Sequence, residues 1–244
     1  MKYQSESGEI EAVREVSFSV YEGEFVSIVG PSGCGKSTLL SIIAGLTKPS
    51  SGQVTLLGEP VVRGARSVGY MLQKDHLFEW RTIEQNTLLG LEVRRDLTPE
   101  TRAYAQELLK TYDLWAFKDS YPRELSGGMR QRAALIRTLA TRPSILLLDE
   151  AFSALDYQTR LSVTEDIHDI IKQVGATAIL VTHDISESIA LSDRVLVLSA
   201  RPAELRAVHH IDMAGLSSRQ RRDHPEFRSY FNLVRKELGL NGKS

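Results

Sequence analysis

The peptide GPSGCGKST, at residues 30–38, constrains the fold more than any other stretch of the sequence. It follows a short apolar run, FVSIV at 25–29, and leads into a helix-like run, STLLSIIAGL at 37–46. Glycines at this spacing between a strand and a helix let successive backbone N–H groups point at phosphate oxygens. The pattern therefore predicts a nucleotide-binding loop within an α/β fold, and a chance glycine-rich turn is a poor alternative.

The predicted loop carries its own cationic and metal-binding groups. Lys36 would place a positive charge beside the β and γ phosphates, and Ser37 would ligate Mg²⁺. The other residues that would surround the phosphates are Gly30, Pro31, Ser32, Gly33, Cys34, Gly35 and Thr38. The position of Cys34 near a lysine and a helix start favours a thiolate, but we prefer the interpretation of a small side chain that fills the loop.

Strand-like and helix-like patterns alternate along most of the chain, which predicts an α/β fold around a mostly parallel sheet. Unbroken apolar runs suit strands that are covered on both faces. Besides FVSIV they are VTLLG at 54–58, SVGYML at 67–72, SILLLDE at 144–150, AILVTHD at 178–184 and RVLVLSA at 194–200. The apolar spacing at 161–174 is helical, and Asp184 with Glu187 predicts a capping box at a further helix start.

The stretch at 75–142 has a different character. Thr98-Pro99 predicts the start of one helix, and Ser126 predicts the start of another that ends before Pro143. The closing PEFRSYFNLVRKEL predicts a last helix after a polar connector. The expected divisions are a nucleotide-binding core at 1–74 and 143–212, an inserted helical subdomain at 75–142 and a C-terminal helical extension at 213–244.

Composition excludes several classes of protein. The 244 residues are 42% hydrophobic and 25% charged, as in ordinary globular proteins, and the net charge of −1 argues against a general nucleic-acid binder. The single cysteine, Cys34, excludes an internal disulfide and agrees with a reducing compartment. No apolar run approaches the roughly 20 residues of a membrane-spanning helix, and we see no secretion leader. Any work at a membrane would therefore depend on a partner.

Polar groups follow three of the predicted strands, where ligands gather in α/β sheets. Asp149 would hold Mg²⁺ through water, and Glu150 would accept a proton from an attacking water or orient it. Gln73 would reach Mg²⁺ or that water, and His183 would donate a hydrogen bond to the γ-phosphate. Solvated acids, a surface amide and a structural histidine are the alternatives, and for the two acids the upstream phosphate loop favours the catalytic interpretation.

A second anion-binding pattern occurs in LSGGM at 125–129. Ser126, Gly127 and Gly128 open a helical run, and the bare N–H groups of a helix start suit an anion. Since residues 30–38 already provide a phosphate cradle, this second pattern raises the question of whose phosphate it meets.

Together the motifs resemble those of the ATP-binding subunit of an ABC transporter. They cover nearly the whole chain in the family's order: GPSGCGKST, Gln73, LSGGM, ILLLDE, SALD at 153–156 and His183. The resemblance implies a P-loop NTPase core of the RecA-like type with an antiparallel β edge, ATP and Mg²⁺ as cofactors, and hydrolysis coupled to transport. It also implies a homodimer that sandwiches ATP, in which the LSGGM helix of one copy caps the γ-phosphate held by the other and Asp156 lies at the seam.

Within that family the chain is most similar to importers of nitrate, sulfonates, taurine and pyrimidine precursors. The features are Met129, where many relatives carry Gln, the closing PEFRSYFNLVRKEL and LFEWRT at 77–82, which departs from a commoner LLPWRT. The likeness implies permease subunits as direct partners, a solute-binding protein as an indirect one, no nucleic acid, and a position at the cytoplasmic face of the cell membrane. The transported solute stays open.

Two further expectations depend on this resemblance. Tyr3 aligns with the aromatic residue that stacks on adenine, and since the chain starts almost on top of it, we expect the preceding strand to be missing and Tyr3 to be poorly ordered. A flexible terminal tyrosine is nearly as good an interpretation. Leu77, Phe78 and Trp80 are candidates for the permease contact, because exposed apolar clusters mark interaction sites, but packing within the subdomain is an equal alternative.

Other classes of protein fit less well. A small-molecule kinase gives no role to LSGGM or SALD, and a GTPase would carry an NKxD sequence, which is absent. A non-transport ABC ATPase that clamps another macromolecule is the remaining alternative, but only about fifty residues separate Gln73 from Leu125, too few for a long coiled coil. We interpret the basic RQRR at 219–222 as a solvated turn.

Overall fold

The computed structural model describes residues 1–5, 8–62, 66–153 and 155–240, and the side chains of residues 2–10 lie outside that description. The chain forms two compact units, which consist of residues 1–66 with 177–244 and of residues 67–176. The first unit contains the phosphate loop and His183. The second contains Gln73, the acids at 149–150 and LSGGM. The boundaries of the three expected divisions stay predictions.

Ten strands and eight α-helices are formed by the described residues. In chain order the strands are β1 (Lys2–Ser5), β2 (Gly8–Glu11), β3 (Phe25–Val29), β4 (Thr55–Leu56), β5 (Glu59–Pro60), β6 (Val68–Met71), β7 (Ile145–Asp149), β8 (Thr177–Thr182), β9 (Arg194–Leu198) and β10 (Leu205–His210). The helices are α1 (Lys36–Ile43), α2 (Ile83–Arg94), α3 (Pro99–Thr111), α4 (Gly127–Leu139), α5 (Tyr157–Gln173), α6 (Ile185–Leu191), α7 (Ser218–Asp223) and α8 (Phe227–Glu237).

The first unit contains a sheet region with the strand order β10-β9-β3-β8. β3 pairs in parallel with both β8 and β9, and β10 pairs antiparallel with β9. All residues of β3 and β8 are buried, as their unbroken apolar runs predict. The mostly parallel sheet and its antiparallel edge are therefore confirmed, although we did not predict β10, whose burial alternates along the strand.

The N-terminal backbone is strand rather than coil. β1, which includes Tyr3, pairs antiparallel with β2, and Tyr3 lies opposite Ile10. The expected adenine contact of Tyr3 lies outside the described residues, because its side chain is among those not described.

In the second unit, β6 and β7 form a parallel pair, and α2, α3 and α4 lie between them in the sequence. Helix α4 packs against β6 and against α2, α3 and α5. Thr98 and Ser126 cap α3 and α4 as predicted, each accepting a hydrogen bond from a backbone N–H three positions on. The helical insertion is thus confirmed. Within the described ranges, every helix is too short or too polar to span a bilayer.

Helix α2 was not predicted, because polar residues interrupt its buried face. Asn86 and Thr87 are fully buried there. The Asn86 amide donates to the carbonyl oxygens of Phe78 and Arg81 at 3.1 and 3.0 Å, and its oxygen accepts from the Phe78 N–H at 2.7 Å. An apolar pattern cannot reveal a helix whose contacts are partly hydrogen bonds between a side chain and the backbone.

The C-terminal segment packs onto the first unit. Val234 of α8 is fully buried, in a cluster with Val29 of β3 and Ile185 and Ile189 of α6. The solvated turn expected at RQRR is wrong, because these residues belong to α7 and Arg221 is only 3% exposed. A lone basic residue is buried when a carbonyl or a carboxylate satisfies it, and a sequence does not show that partner.

Arg221 ties this segment to the loop after α6. Its guanidinium donates to the carbonyl oxygen of Ser192 at 2.7 Å and lies 3.6 Å from the carboxylate of Asp193. Asp193 in turn accepts a hydrogen bond from the N–H of Phe25, the first residue of β3. Burial lowers the pKa of Arg221 from its usual value, and Asp193 opposes that shift.

We expect Arg221→Ala to lower the free energy of unfolding by about 2–4 kcal/mol, since it leaves the Ser192 carbonyl unpaired and removes the cation beside Asp193. Urea denaturation followed by circular dichroism measures the change. The matched control is Arg219→Ala, two positions away and exposed, which should stay within about 0.5 kcal/mol of the parent protein. Equal losses in both variants would contradict the anchoring role of Arg221.

Candidate functional site

The phosphate loop begins where β3 ends and finishes where α1 begins at Lys36. Lys36 is 5% exposed, and its Nζ atom donates hydrogen bonds to the carbonyl oxygens of Gly30, at 2.8 Å, and Pro31, at 3.0 Å. The ammonium group therefore lies against its own loop, where it adds positive charge to the N–H groups that a phosphate would meet. Among the other loop residues, Ser32, Gly33 and Ser37 are exposed and Thr38 is half-buried.

Gly35 combines a conformation and a close contact that exclude other residues. Its φ is 129°, and a Cβ atom would lie 2.7 Å from the carbonyl oxygen of Ala12 and 3.3 Å from a methyl group of Val13. Ala12 and Val13 thus line the loop, although sequence analysis did not include them. In the sequence they are an apolar pair within a polar stretch, which is a weak signal. Cys34 is buried and its N–H donates to the Pro31 carbonyl at 3.2 Å, in agreement with a small side chain that fills the loop.

His183 lies beside the phosphate loop because of strand register. Val29 at the end of β3 pairs with Thr182 at the end of β8. Gly30 and His183 are the next residues after these two strands, so they lie side by side. A cavity of about 280 Å³ is lined by Gly30, Pro31, Ser32, His183, Leu238 and Leu240. The histidine is exposed, and the two leucines come from the end of α8 and beyond, a contribution that the sequence did not indicate.

The backbone on either side of His183 is fixed by a buried network. Thr182 Oγ1 donates a short hydrogen bond to the carboxylate of Glu187 and accepts one from the N–H of Asp184 at 3.1 Å. Asp184 caps α6 by accepting from the N–H of Glu187, also at 3.1 Å. The predicted capping box is therefore only half formed, because Glu187 binds the Thr182 hydroxyl instead of the Asp184 N–H.

The two acids of the second unit lie at and just after the end of β7. Asp149 is the last residue of the strand, and Glu150 follows with a φ of 46°, a left-handed conformation that costs free energy in a residue with a side chain. The carboxylate of Asp149 accepts a hydrogen bond from the Tyr70 hydroxyl at 3.1 Å. Both acids are half-buried, as befits groups at the rim of a sheet.

Gln73 meets the loop that carries Glu150. Its amide Nε2 donates to Ser153 Oγ at 3.0 Å, and that hydroxyl donates to the carbonyl oxygen of Glu150 at 2.9 Å. Register explains the meeting, because Met71 of β6 pairs with Leu148 of β7 and both strands end at the same edge. The sequence indicates Gln73 and Glu150 but does not indicate the link through Ser153.

LSGGM forms a helix start of the kind that binds anions. Ser126 is exposed and caps α4, accepting a hydrogen bond from the N–H of Met129 at 3.3 Å. Gly128 is buried, and a Cβ atom there would lie 2.7 Å from a methyl group of Val163 on α5. The glycine thus lets α4 approach α5 closely, in addition to leaving the first turn of the helix bare.

The stretch after Gln73 is tied to α4 by two arginines. Arg130 donates to the Asp75 carboxylate at 3.1 Å, and Arg137 donates to the backbone carbonyls of Asp75 and His76, each at 2.6 Å. Burial lowers the pKa of Arg137, and Asp75 partly offsets that effect. These contacts join the stretch that follows Gln73 to the helix that begins with LSGGM.

Asp156 serves as a helix cap in this structure. Its carboxylate accepts a hydrogen bond from the N–H of Thr159 at 3.1 Å, at the start of α5. Hydrogen bonds from Thr159 hold the pKa of the exposed Asp156 carboxyl below its usual value. Its predicted role at a dimer seam stays a prediction, and Ala154 of SALD lies outside the described residues.

The site's donor atoms fit Mg²⁺ chemically. A carboxylate on Asp149, an amide on Gln73 and a hydroxyl on Ser37 are hard oxygen donors, and the first two lie in the second unit while Ser37 lies in the first. Mg²⁺ commonly keeps several waters and takes few protein ligands beside phosphate oxygens. Each unit therefore carries donor atoms of the kind that suit Mg²⁺.

Comparison with known proteins identifies the family of the chain. Residues 13–153, more than half of its length, match the family model described as "ABC transporter". The chain belongs to the ABC transporter family. It is the ATP-binding subunit of an ABC transporter, and it is an ATPase.

Its relatives in the family extend over nearly the whole chain. An uncharacterized ABC transporter ATP-binding protein of Bacillus subtilis, YtlC, is 48% identical over 93% of this chain and 88% of its own length. The aliphatic sulfonates import ATP-binding protein SsuB of Bacillus licheniformis is 40% identical over 93% and 86%. The nitrate import ATP-binding protein NrtC of Synechococcus elongatus is 42% identical over 95% of this chain and 35% of its own length.

Solved ABC cassettes share the fold. The dimeric structure of the bacterial ABC transporter cassette MJ0796 superimposes with a TM-score of 0.72 at 32% identity, over 86% of this chain and 95% of that one. A second dimeric structure of MJ0796, in a post-hydrolysis state bound to ADP and Pi, gives a TM-score of 0.71 at the same identity. The P-loop NTPase fold class is thereby confirmed.

We expect Gly128→Ala to destabilise the protein by about 1–3 kcal/mol, since the new methyl group overlaps Val163. Combining it with Val163→Ala should cost less than the sum of the two single variants, because the second change makes room for the first. Urea denaturation of the parent, both single variants and the double variant measures this coupling. Strict additivity would mean that the helix start does not depend on the α4–α5 approach.

Proposed function

We propose that this ATPase powers an importer of nitrate, a sulfonate, taurine or a related small solute. The observation that carries the proposal is the set of relatives named as nitrate and aliphatic sulfonate import proteins, at 42% and 40% identity over more than nine tenths of this chain. In that role the chain lies at the cytoplasmic face of the cell membrane. Permease subunits hold it there, and a solute-binding protein delivers the cargo to them.

Hydrolysis in this proposal requires two copies of the chain. Each copy holds ATP on its phosphate loop, and the exposed Ser126 with the first turn of α4 in the partner caps the γ-phosphate. Support comes from the separate anion-binding helix start, which the chain has in addition to its own cradle, and from the dimeric form of MJ0796. ATP is then a shared ligand whose binding favours the closed dimer, and hydrolysis reverses that preference.

Within each site, we assign the chemistry to the residues at the strand ends. Lys36 and the loop N–H groups bind the phosphates, and Ser37, Gln73 and Asp149 would hold Mg²⁺, which would supply further charge neutralisation. Glu150 orients the attacking water or takes its proton, and its constrained backbone aims the side chain. His183 donates to the γ-phosphate from the end of β8.

The aromatic pair Phe78–Trp80 is the proposed permease contact. Trp80 is 71% exposed and stacks on Phe78 with ring centroids 4.7 Å apart. Leu77 is only 6% exposed. For this residue we therefore prefer packing within the unit to a contact with the permease. A preformed aromatic stack offers rigid apolar area to a partner at low entropic cost.

We expect Glu150→Gln to retain ATP binding while its turnover falls by about 10²–10⁴-fold, since an amide cannot accept the proton. With ATP the variant should accumulate as a dimer in light scattering, because the shared ligand is not consumed. Glu107→Gln, which neutralises an exposed glutamate on α3, is the control and should turn over normally. Near-normal hydrolysis by Glu150→Gln, or a variant that stays monomeric in saturating ATP, would contradict the assigned mechanism.

The import role is tested by uptake in the source organism after deletion of the gene for this chain. We expect uptake of labelled nitrate, taurine or an alkanesulfonate to fall and to return with the wild-type gene but not with Glu150→Gln. Unchanged uptake of all these solutes would contradict the proposed cargo class.

In the deletion strain, a gene that carries Trp80→Ala should restore less than about a tenth of the wild-type uptake, because we expect Trp80 to anchor the contact with the permease. The purified variant should keep its basal ATPase activity. Val93→Ala, which truncates an equally exposed apolar residue (76%) on α2, is the matched control. Full uptake with Trp80→Ala would remove the aromatic pair from the interface.

A further inference from the structure

The Tyr70 hydroxyl contacts Asp149, the acid that we propose as a ligand of hydrated Mg²⁺. Tyr70 lies on β6 and pairs in parallel register with Leu147 of β7, two residues before Asp149. Side chains two apart on a strand share one face of the sheet, so Tyr70 and Asp149 lie on the same face. The tyrosine ring is long enough to bridge the offset, and its Oη atom lies 3.1 Å from Asp149 Oδ2.

This hydrogen bond constrains the carboxylate. An ionised carboxylate accepts hydrogen bonds only, so the phenol is the donor. The last torsion of an aspartate is broad and weakly restricted by itself. Fixing Oδ2 therefore selects one rotation of the group and with it the directions in which the carboxylate can meet a ligand.

The contact acts on one of the two acids. Glu150 is held by a separate interaction, in which its carbonyl oxygen accepts from the hydroxyl of Ser153. Since the Ser153 hydrogen bond does not involve Tyr70, removing the phenol hydroxyl should disturb Asp149 and leave that bond to the Glu150 backbone in place. An effect on the metal should therefore be separable from an effect on the chemical step.

We propose that Tyr70 is a positioning residue for the divalent cation, and that its hydroxyl orients the Asp149 carboxylate toward the cation's hydration shell. The inference rests on the proposed role of Mg²⁺ and deepens it. Hydrogen-bond partners of metal-binding carboxylates commonly contribute 10–100-fold to metal affinity, and we expect about tenfold here because Asp149 acts through water.

Tyr70→Phe tests the inference, since the phenylalanine ring fills the same half-buried space without the hydroxyl. Binding of Mn²⁺, a paramagnetic substitute for Mg²⁺, is measured by electron paramagnetic resonance in the presence of a non-hydrolysable ATP analogue. The variant should bind Mn²⁺ about tenfold more weakly. The Mg²⁺ concentration for half-maximal ATPase activity should rise by the same factor, whereas kcat at saturating Mg²⁺ changes less than about twofold.

Tyr21→Phe is the matched control, because Tyr21 is 67% exposed and lies outside the site. Binding of the analogue in EDTA and the circular dichroism melting curve should be alike in all three proteins. Unchanged Mn²⁺ affinity in Tyr70→Phe would overturn the inference, as would a loss of metal-free analogue binding that reveals a disturbed fold. If the wild-type protein bound the analogue but no Mn²⁺, the proposed Mg²⁺ role would fail first, and the role of Tyr70 with it.

Discussion

Parallel strand pairing decides which chemical groups meet in this protein. In the first unit, the pairing of Val29 with Thr182 sets the start of the phosphate loop beside His183. In the second, the pairing of Met71 with Leu148 sets Gln73 beside the loop that carries Glu150. Parallel strands end at the same edge of a sheet, so polar residues that come just after neighbouring buried strands lie close together. A register shift by one residue would turn each of these side chains to the opposite face.

The loops at that edge are held in conformations that the backbone does not adopt freely. Gly35 has a φ of 129° and no room for a Cβ atom, and Glu150 has a φ of 46°. Each is balanced by nearby contacts. The lysine ammonium binds two carbonyls of the phosphate loop, and Ser153 binds the Glu150 carbonyl while it accepts from Gln73. Glycine adopts a positive φ without strain, whereas the strain at Glu150 is typical of functional loops that surrounding structure fixes.

Structural support for the site reaches far beyond its motifs. Helix α8 packs through Val234 against α6, the helix that follows His183, and the segment after α8 places Leu240 on the cavity beside the phosphate loop. In the second unit, Arg130 and Arg137 tie the stretch after Gln73 to the LSGGM helix. Both arginines are half-buried, and their hydrogen bonds to Asp75 and His76 fix the position of that stretch against α4.

The sequence by itself determined the buried parallel strands, the phosphate loop, the two acids and the LSGGM helix start, because each depends on residues close together in the chain. Local chemistry is sufficient for a glycine-rich turn, an N-cap such as Ser126 or a fully apolar strand such as β3. It was not sufficient for α2, where buried Asn86 and Thr87 hide the periodicity, nor for Arg221, which looked like a solvated cation. Only the tertiary structure decided that Tyr70 meets Asp149, that Ser153 joins Gln73 to Glu150, and that Glu187 binds Thr182 instead of completing a capping box. Each of these depends on strand register, side-chain direction and burial, which arise from contacts between distant parts of the chain and leave no local pattern in the sequence.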